Sequence, residues 1–472
     1  MNFRGISYYL GLSCYPVTFL SFFSILYSSY FDHYLNLDSY ILTLVISFSS
    51  GAGLYFFSKN SEKNIKFYEK LILIFIVYLL VSLLISIPYY FGSYQLSFID
   101  SFFEAISGLT TTGFTVLYNV KFLDPTLLLW RSSSHWIGGL FFIIFLILIF
   151  SNFKNEYKLT HLVYNPDKAT NIFKDTQKTI TKVFFIYTFL TTLIFILFTL
   201  SGIRLFNSFN LAMTVSSTGA FLPTNELSEI IRYSSQKIIL TVALVFSTLN
   251  IYFFYSLFTN VNTLKKHYED IFILLVITFL SLIIFFSIQD ITFLNIFFSV
   301  VSSISNSGLT LYEPPENFFL LFIFITIIGG SILSNSSGIK LLRLYVLFKS
   351  TVLEIFKLVS PNVIIDQRIL KTEHRINNEN LNSSFFIFIC FFISIFILSS
   401  VLTGGGLNFE TSFKLSILTI TNTANSSLFG LKEVDFFNLL TTSKIFLILF
   451  MVIGKIELIS LFLIIKKVIS RD

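Results

Sequence analysis

Long apolar runs alternate with short polar ones along the whole chain. Runs of spanning length lie at about 11–31, 40–58, 68–91, 127–151, 180–201, 236–259, 270–289, 317–346, 383–403 and 444–466. The hydrocarbon core of a bilayer takes about 20 residues of helix, so the pattern predicts about ten transmembrane helices in an all-α membrane protein. Four shorter apolar stretches lie between them, at about 98–110, 205–217, 292–304 and 409–421. Each is too brief to cross and predicts a half-helix that enters the membrane and turns back.

The loops sort by charge. Lys59, Lys63, Lys66 and Lys70 follow the second run, and Lys154, Lys158, Lys168, Lys174, Lys178 and Lys182 follow the fourth. Lys265 and Lys266 follow the sixth; Lys340, Arg343, Lys349, Lys357, Arg368, Lys371 and Arg375 follow the eighth; Lys466, Lys467 and Arg471 close the chain. The alternate loops carry Asp32, Asp38, Asp100, Asp124, Asp290, Glu313 and Glu316. Positive-inside logic then puts both termini in the cytoplasm and all four half-helices on the outer side.

Composition narrows the class. The chain is 54% hydrophobic and 12% charged, with 61 Phe among 472 residues, too little charge to cover a soluble protein of this size. The formal charge of +6 reflects lysines gathered in a few loops and is no evidence for nucleic acid. Cys14 and Cys390 both lie in apolar runs and read as buried thiols, and the five histidines make no metal-binding spacing. The N-terminal apolar run extends too far for a signal peptide and lacks a clean cleavage site.

The polar stretches behind the half-helices repeat. They read SFFEAISGLTTTGFT from Ser101, NSFNLAMTVSSTGAF from Asn207, NIFFSVVSSISNSGLT from Asn295 and TSFKLSILTITNTANSS from Thr411. In the first three, Phe103, Phe209 and Phe298 stand ten residues before Gly113, Gly219 and Gly308. The repeating unit is span, half-helix, polar loop, span. It assigns residues 1–62 to two N-terminal helices, 63–160 to the first pore repeat, 161–262 to the second, 263–376 to the third and 377–472 to the fourth. Non-helical backbone at membrane depth is tolerated where it is buried in protein or lines a wet cavity. Carbonyls aimed at one axis can replace the hydration shell of a cation. Glycine lets the backbone turn them, and half-helix C-termini favour positive charge. Four such loops predict a cation filter around one pseudo-fourfold pore. One T-T-G alone is a turn; three near-copies on one side favour the pore.

With these residues in view, the sequence resembles the potassium-translocating subunit of the Trk/Ktr/HKT superfamily, closest to Trk-type proteins with two extra N-terminal helices. The resemblance covers essentially the whole chain. It rests on TTTGFT and SSTGAF in the first two loops, WRSSSHWIGGL at 130–140, GGSILSNSSGIKLLR at 329–343 and GKIELISLFLI at 454–464. It implies potassium uptake across a bacterial inner (plasma) membrane, with K⁺ as transported ion and no organic cofactor on this chain. Its filter residues would be Thr111, Thr112, Gly113 and Phe114; Ser217, Thr218, Gly219 and Ala220; Asn306, Ser307, Gly308 and Leu309; and Asn422, Thr423, Ala424 and Asn425. The fourth loop has no glycine, with Thr423 or Ala424 in its place, which opens the way to a less selective K⁺/Na⁺ pore. Gly329, Gly330, Asn335 and Gly338 interrupt the eighth run. They read as a kinked helix or two helices joined by an ordinary loop or, by the resemblance, as a mobile gating loop beneath the filter. Lys455 stands where the family usually has an arginine beside that loop; the bland readings are an arrangement with Glu457 or a snorkelling lysine. Arg131 and His135 read as packing residues. Glu104 reads as a cation attractor at the outer mouth or a helix N-terminus stabiliser. The resemblance further implies a homodimer with one pore per chain, surrounded by membrane lipid. It also implies a peripheral cytoplasmic nucleotide-binding subunit, for which the lysine-rich loops offer docking surfaces. A membrane enzyme would need acid–base or metal clusters, and none is written here. A secondary transporter of another solute fits four repeated half-helices poorly.

Overall fold

The structure is a computed structural model that describes residues 2–59, 65–150, 176–259, 267–288, 291–360, 367–370, 375–432 and 434–456. Apart from one isolated β-bridge between Arg368 and Arg375, its regular structure is helical.

Two helices, α1 (Phe3–Tyr30) and α2 (Leu37–Ser58), form an antiparallel hairpin. They approach closely because Gly11 and Gly51 face each other; a Cβ on Gly11 would lie 2.9 Å from the Gly51 carbonyl. The hairpin is fixed to the rest by Tyr40, whose ring packs tilted 5.6 Å from Trp130, and by Asn36 donating to Asp124 at 3.2 Å.

The remaining chain follows the repeating plan. Helix α3 (Phe67–Phe91) leads into the half-helix α4 (Phe98–Leu109), capped by Ser97, whose hydroxyl accepts from Asp100 N. Helix α5 (Pro125–Phe150) returns, with Pro125 at its first position, where no N–H is needed. The second unit is α6 (Thr176–Leu200), half-helix α7 (Leu205–Ser216), then α8 (Ser234–Thr248) and α9 (Ile251–Thr259). The third is α10 (Tyr268–Ser287), half-helix α11 (Phe293–Ile304), α12 (Phe319–Ile328) and α13 (Leu341–Val359). The fourth is α14 (Asn378–Gly404), half-helix α15 (Phe409–Ile420) and α16 (Thr441–Ile456).

All four half-helices fall where the short apolar stretches predict them, each of twelve residues. Among the described residues, seven helices are long and apolar enough to cross a membrane, or eight when the bent pair α8–α9 is counted as one span. The other two expected spans fall on shorter helices, α12 (Phe319–Ile328) and α16 (Thr441–Ile456).

Two expected spans are not single helices. The run 236–259 bends by 101° between α8 and α9. Asn250 makes the break: its N–H donates to Asp270 Oδ1 at 2.9 Å and its side chain accepts from Tyr252 N at 3.0 Å. The run 317–346 splits into α12 and α13 around residues 329–340, and α13 continues to Val359. Lys340 and Arg343 therefore do not stand in a solvated cytoplasmic loop; they are 1% and 6% exposed.

Glycines let the returning helices touch the half-helix ends. A Cβ on Gly138 of α5 would lie 2.0 Å from the Leu109 carbonyl, and one on Gly454 of α16 would lie 2.3 Å from the Ile420 carbonyl. We expect Gly138→Ala to cost about 1–3 kcal/mol of packing, read as a lower midpoint for thermal unfolding in detergent. Gly53→Ala, whose added methyl meets nothing within 4 Å, is the control and should leave the midpoint unchanged.

Candidate ion filter and gating loop

The half-helices begin at Phe98, Leu205, Phe293 and Phe409. Position 113 of the first loop thus corresponds to 220, 308 and 424. Backbone geometry agrees. In each loop the residue two before this position takes a left-handed conformation: Thr111 (φ 59°), Thr218 (58°), Asn306 (62°) and Asn422 (49°). Such a conformation costs a non-glycine residue about 1–2 kcal/mol, so its fourfold recurrence marks a shape the surroundings impose.

This register corrects the spacing argument. Gly113 and Gly308 are equivalent, with φ of 87° and 71°, but their partner in the second loop is Ala220, not Gly219. In the fourth loop it is Ala424, not Thr423. Phe209 is accordingly the counterpart of Phe102. Gly219 is glycine for another reason: a Cβ there would lie 2.4 Å from the His135 ring. His135 accepts at Nε2 from Ala220 N (3.2 Å) and Phe221 N (3.0 Å), while Nδ1 lies 2.6 Å from the Gly108 carbonyl. An imidazole that accepts at Nε2 donates at Nδ1, so His135 is a neutral clasp between the first and second loops.

The loop N–H groups turn back onto the half-helices. Thr112 N and Gly113 N reach Ser107 O (3.0 and 3.4 Å), Gly219 N reaches Thr214 O (2.8 Å), Ser307 N reaches Ser302 O (3.1 Å) and Thr423 N reaches Leu418 O (2.8 Å). Hydroxyls repeat the tie one turn on. Ser107, Thr214 and Ser302 donate to the carbonyls of Phe114, Phe221 and Leu309 at 2.7, 2.8 and 2.7 Å. Leu418 holds this place in the fourth unit and cannot donate. Among the described residues, no donor reaches the carbonyls of 111–113, 218–220, 306–308 or 422–424. A row of unanswered buried acceptors is an electronegative surface.

The four ring residues Gly113, Ala220, Gly308 and Ala424 line one outer cavity of about 420 Å³. The ring is tight: a Cβ on Gly113 would lie 2.9 Å from that of Ala220 and 3.2 Å from that of Ala424. Glu226, Glu313 and Lys432 stand higher in the same cavity. Lys432 lies 2.7 Å from Glu226 and holds that carboxyl below its usual range.

Glu104 is neither at the mouth nor at a helix start. It is fully buried in the middle of α4 and accepts from Arg131 Nε, Thr115 Oγ1 and Val116 N, each at 3.0 Å. Arg131 also lies 4.1 Å over the Phe221 ring. The pair thereby props the outer ends of the first two loops. The sequence signal was present: Arg131 and His135 are four apart on one face of an apolar helix.

Residues 329–340 form a compact plug directly beneath the loops. Asn335 donates through Nδ2 to Ser216 O (2.8 Å), and its carbonyl accepts from Thr218 Oγ1 (3.3 Å). Ser337 donates to Asn422 Oδ1 at 3.1 Å. Gly329 and Gly338 take φ of 66° and 78°, which turns the chain sharply at both ends. A Cβ on Gly330 would strike Thr248 O at 2.7 Å. Lys455 does not snorkel. It is 1% exposed, donates to Thr111 Oγ1 (2.7 Å) and Asn335 O (3.1 Å), and lies 4.6 Å from the Phe142 centroid. Glu457 lies outside the described residues.

A family model described as TrkH, cation transport protein, matches residues 38–261. Over that stretch, a little under half of its length, the chain is similar to the TrkH family of cation transport proteins. Among its relatives, the Trk system potassium uptake protein TrkG of Escherichia coli is 28% identical over 446 residues, 90% of each chain. An uncharacterized cation transporter of Methanocaldococcus jannaschii is 26% identical over 363 residues, 74% of this chain and 73% of that one. The crystal structure of the potassium transporter TrkH from Vibrio parahaemolyticus shares the fold, with a TM-score of 0.82 at 21% identity over 98% of both chains. The chain therefore shares the fold of that structure.

The ring geometry makes a prediction. Gly113→Ala adds both strain at positive φ and a methyl in a filled ring; rubidium uptake should fall to background. Ala220→Gly and Ala424→Gly put glycine at the two ring positions that lack it and should each sharpen discrimination against Na⁺ by up to about tenfold, equivalent to about 1.4 kcal/mol. Competition of Na⁺ against rubidium uptake in the three variants measures both effects.

Proposed function

We propose that this chain takes up potassium through a gated, filter-lined pore. The observation that carries this reading is the set of unanswered carbonyls in four equivalent loops whose ring residues share one cavity. Potassium is the transported ion, held in succession by the unanswered carbonyls of residues 111–113, 218–220, 306–308 and 422–424. Carbonyl number and field strength decide between K⁺ and Na⁺. A ring with alanine at two positions and glycine at two differs from a four-glycine ring, which favours potassium uptake with weaker rejection of Na⁺ as the second reading.

The plug at 329–340 is the gate on this reading. It is tied to three of the four loop bases, directly through Thr218 and Asn422 and through Lys455 to Thr111. A glycine-flanked segment can leave such a position without breaking a helix. Lys455 places a fixed positive charge at the filter base, where it opposes a cation leaving inward. The family resemblance supports a homodimer with one pore per chain and a peripheral cytoplasmic nucleotide-binding partner on the lysine-rich side. It also supports a multi-pass protein of the bacterial inner membrane. The loop charges support cytoplasmic termini.

Purified protein in liposomes should accumulate rubidium down a K⁺ gradient; no uptake above empty vesicles would overturn the reading. Lys455→Ala should raise that flux several-fold at equal protein, because both the charge and the tie to Asn335 are lost; unchanged flux returns Lys455 to packing. For orientation, single cysteines beside Lys168 and Lys371 should resist impermeant labelling in intact cells, while one at Glu313 should react.

A further inference from the structure

Lys340 serves none of the roles above, yet it is 1% exposed in the centre of the plug. Its side chain folds back on the segment that precedes it. The ammonium lies 3.1 Å from Ser331 O, 3.4 Å from Ser334 O, 3.4 Å from Ser334 Oγ and 3.3 Å from Ser336 Oγ, and also bonds Ser336 O. An ammonium has three protons. Five surrounding oxygens are the environment of a coordinated ion rather than a set of paired donors.

A second observation is independent of the first. Lys340 takes φ of 77° and ψ of 128°, a region that side chains rarely occupy. Gly338 stands two residues earlier and carries the sharp turn itself, so the strain at Lys340 serves no turn that glycine could not make. It holds the Cβ where the chain can double back. The two ends of the plug are joined by Ile339 N to Ile327 O (3.0 Å) and Leu341 N to Gly330 O (3.4 Å). From outside, Glu269 accepts from Ile332 N at 2.8 Å, and Ser331 N donates to Thr248 O at 3.0 Å. Ile332, Leu333 and Ile339 of the plug are buried in the surrounding apolar core, and its polar interior is this ammonium with the oxygens turned to it.

We propose that Lys340 is a tethered cation around which the gating loop folds, and that it sets the stability of the closed gate. It is a positioning residue and need not touch the transported ion. The proposal rests on the reading of 329–340 as the gate. Release of the ammonium frees three inward carbonyls and removes the reason for the compact fold. A cation of the transported class thus holds the gate shut from within the chain.

The test compares rubidium flux in liposomes for the native chain, Lys340→Met, Lys340→Arg and the double variant Ser334→Ala/Ser336→Ala. Lys340→Met should raise flux about tenfold by removing the closed-state bias. Na⁺ competition should stay as in the native chain, because the filter is untouched. The serine pair, which removes two of the oxygens and leaves the charge, should give a smaller rise with the same competition ratio. Lys340→Arg, too broad for the cage, should fall between native and Lys340→Met. Unchanged flux in monodisperse Lys340→Met overturns the proposal, as does a rise accompanied by lost Na⁺ discrimination, which would mark general damage. Should Lys340→Met fail to fold, unchanged flux in the serine pair overturns it equally. A native chain without rubidium uptake would instead defeat the transport reading itself.

Discussion

Backbone that leaves the helix at membrane depth must have its polar groups answered by the protein, because lipid offers no hydrogen bonds. This constraint organises the structure. The four re-entrant loops answer their N–H groups on one side, through the last turn of each half-helix. Their carbonyls remain on the other side. A single left-handed residue in each loop, Thr111, Thr218, Asn306 or Asn422, produces that division. The half-helices can be brought this close because Gly138 and Gly454 put bare backbone against the Leu109 and Ile420 carbonyls. The second loop cannot complete the pattern alone. His135 supplies the missing acceptor to Ala220 N and Phe221 N, and Gly219 makes room for the ring.

The same constraint shapes the plug at 329–340. A twelve-residue interruption at 329–340 would leave many polar groups exposed to the bilayer. They are instead met by Asn422, Thr248, Glu269, Ser216 and the chain's own lysine. Three of these contacts reach neighbouring units, so the plug and the loops above it hold one another in place. A change at Asn335 therefore acts on the second loop through Ser216 and Thr218, and on the first through Lys455 and Thr111. That coupling runs through direct hydrogen bonds and needs no relayed distortion.

The half-helices are legible in the sequence because a twelve-residue apolar stretch followed by hydroxyls and glycine has few other uses. The register of the second loop is not. Glycine at 219 imitates the repeat mark, although it answers to a histidine more than eighty positions away. The phenylalanine spacing agrees with the error because Phe209 and Phe103 sit one position apart on otherwise equivalent helices. Charge counting likewise places Lys340 in a cytoplasmic loop. Hydropathy assigns residues to spans by their neighbours in sequence and cannot represent a side chain that folds back into its own loop. The bend at Asn250 hides for the same reason: one amide in a long apolar run changes a window average little. Its partner Asp270 lies in another span. Lys455 and Asn335 are legible as unusual, since a charge and an amide in apolar runs always require an explanation.

Two buried ammoniums, Lys340 and Lys455, share the Phe142 ring at 5.7 and 4.6 Å. Like charges brought together out of water repel strongly. The ring's negative faces and the oxygens around each ammonium offset that repulsion, and the oxygens matter more because they are numerous and close. Those oxygens belong to Ser331, Ser334, Asn335, Ser336 and Thr111, at or just beneath the base of the four loops. On the proposed reading, a cation descending from the filter meets acceptors already occupied by charge of its own sign. It can advance only where an ammonium withdraws, and each withdrawal vacates oxygens that a cation can use. Closing and conducting are then alternative occupancies of one electronegative surface. A gate built this way needs no apolar constriction, and a polar, glycine-flanked loop can serve where an apolar helix would otherwise be expected.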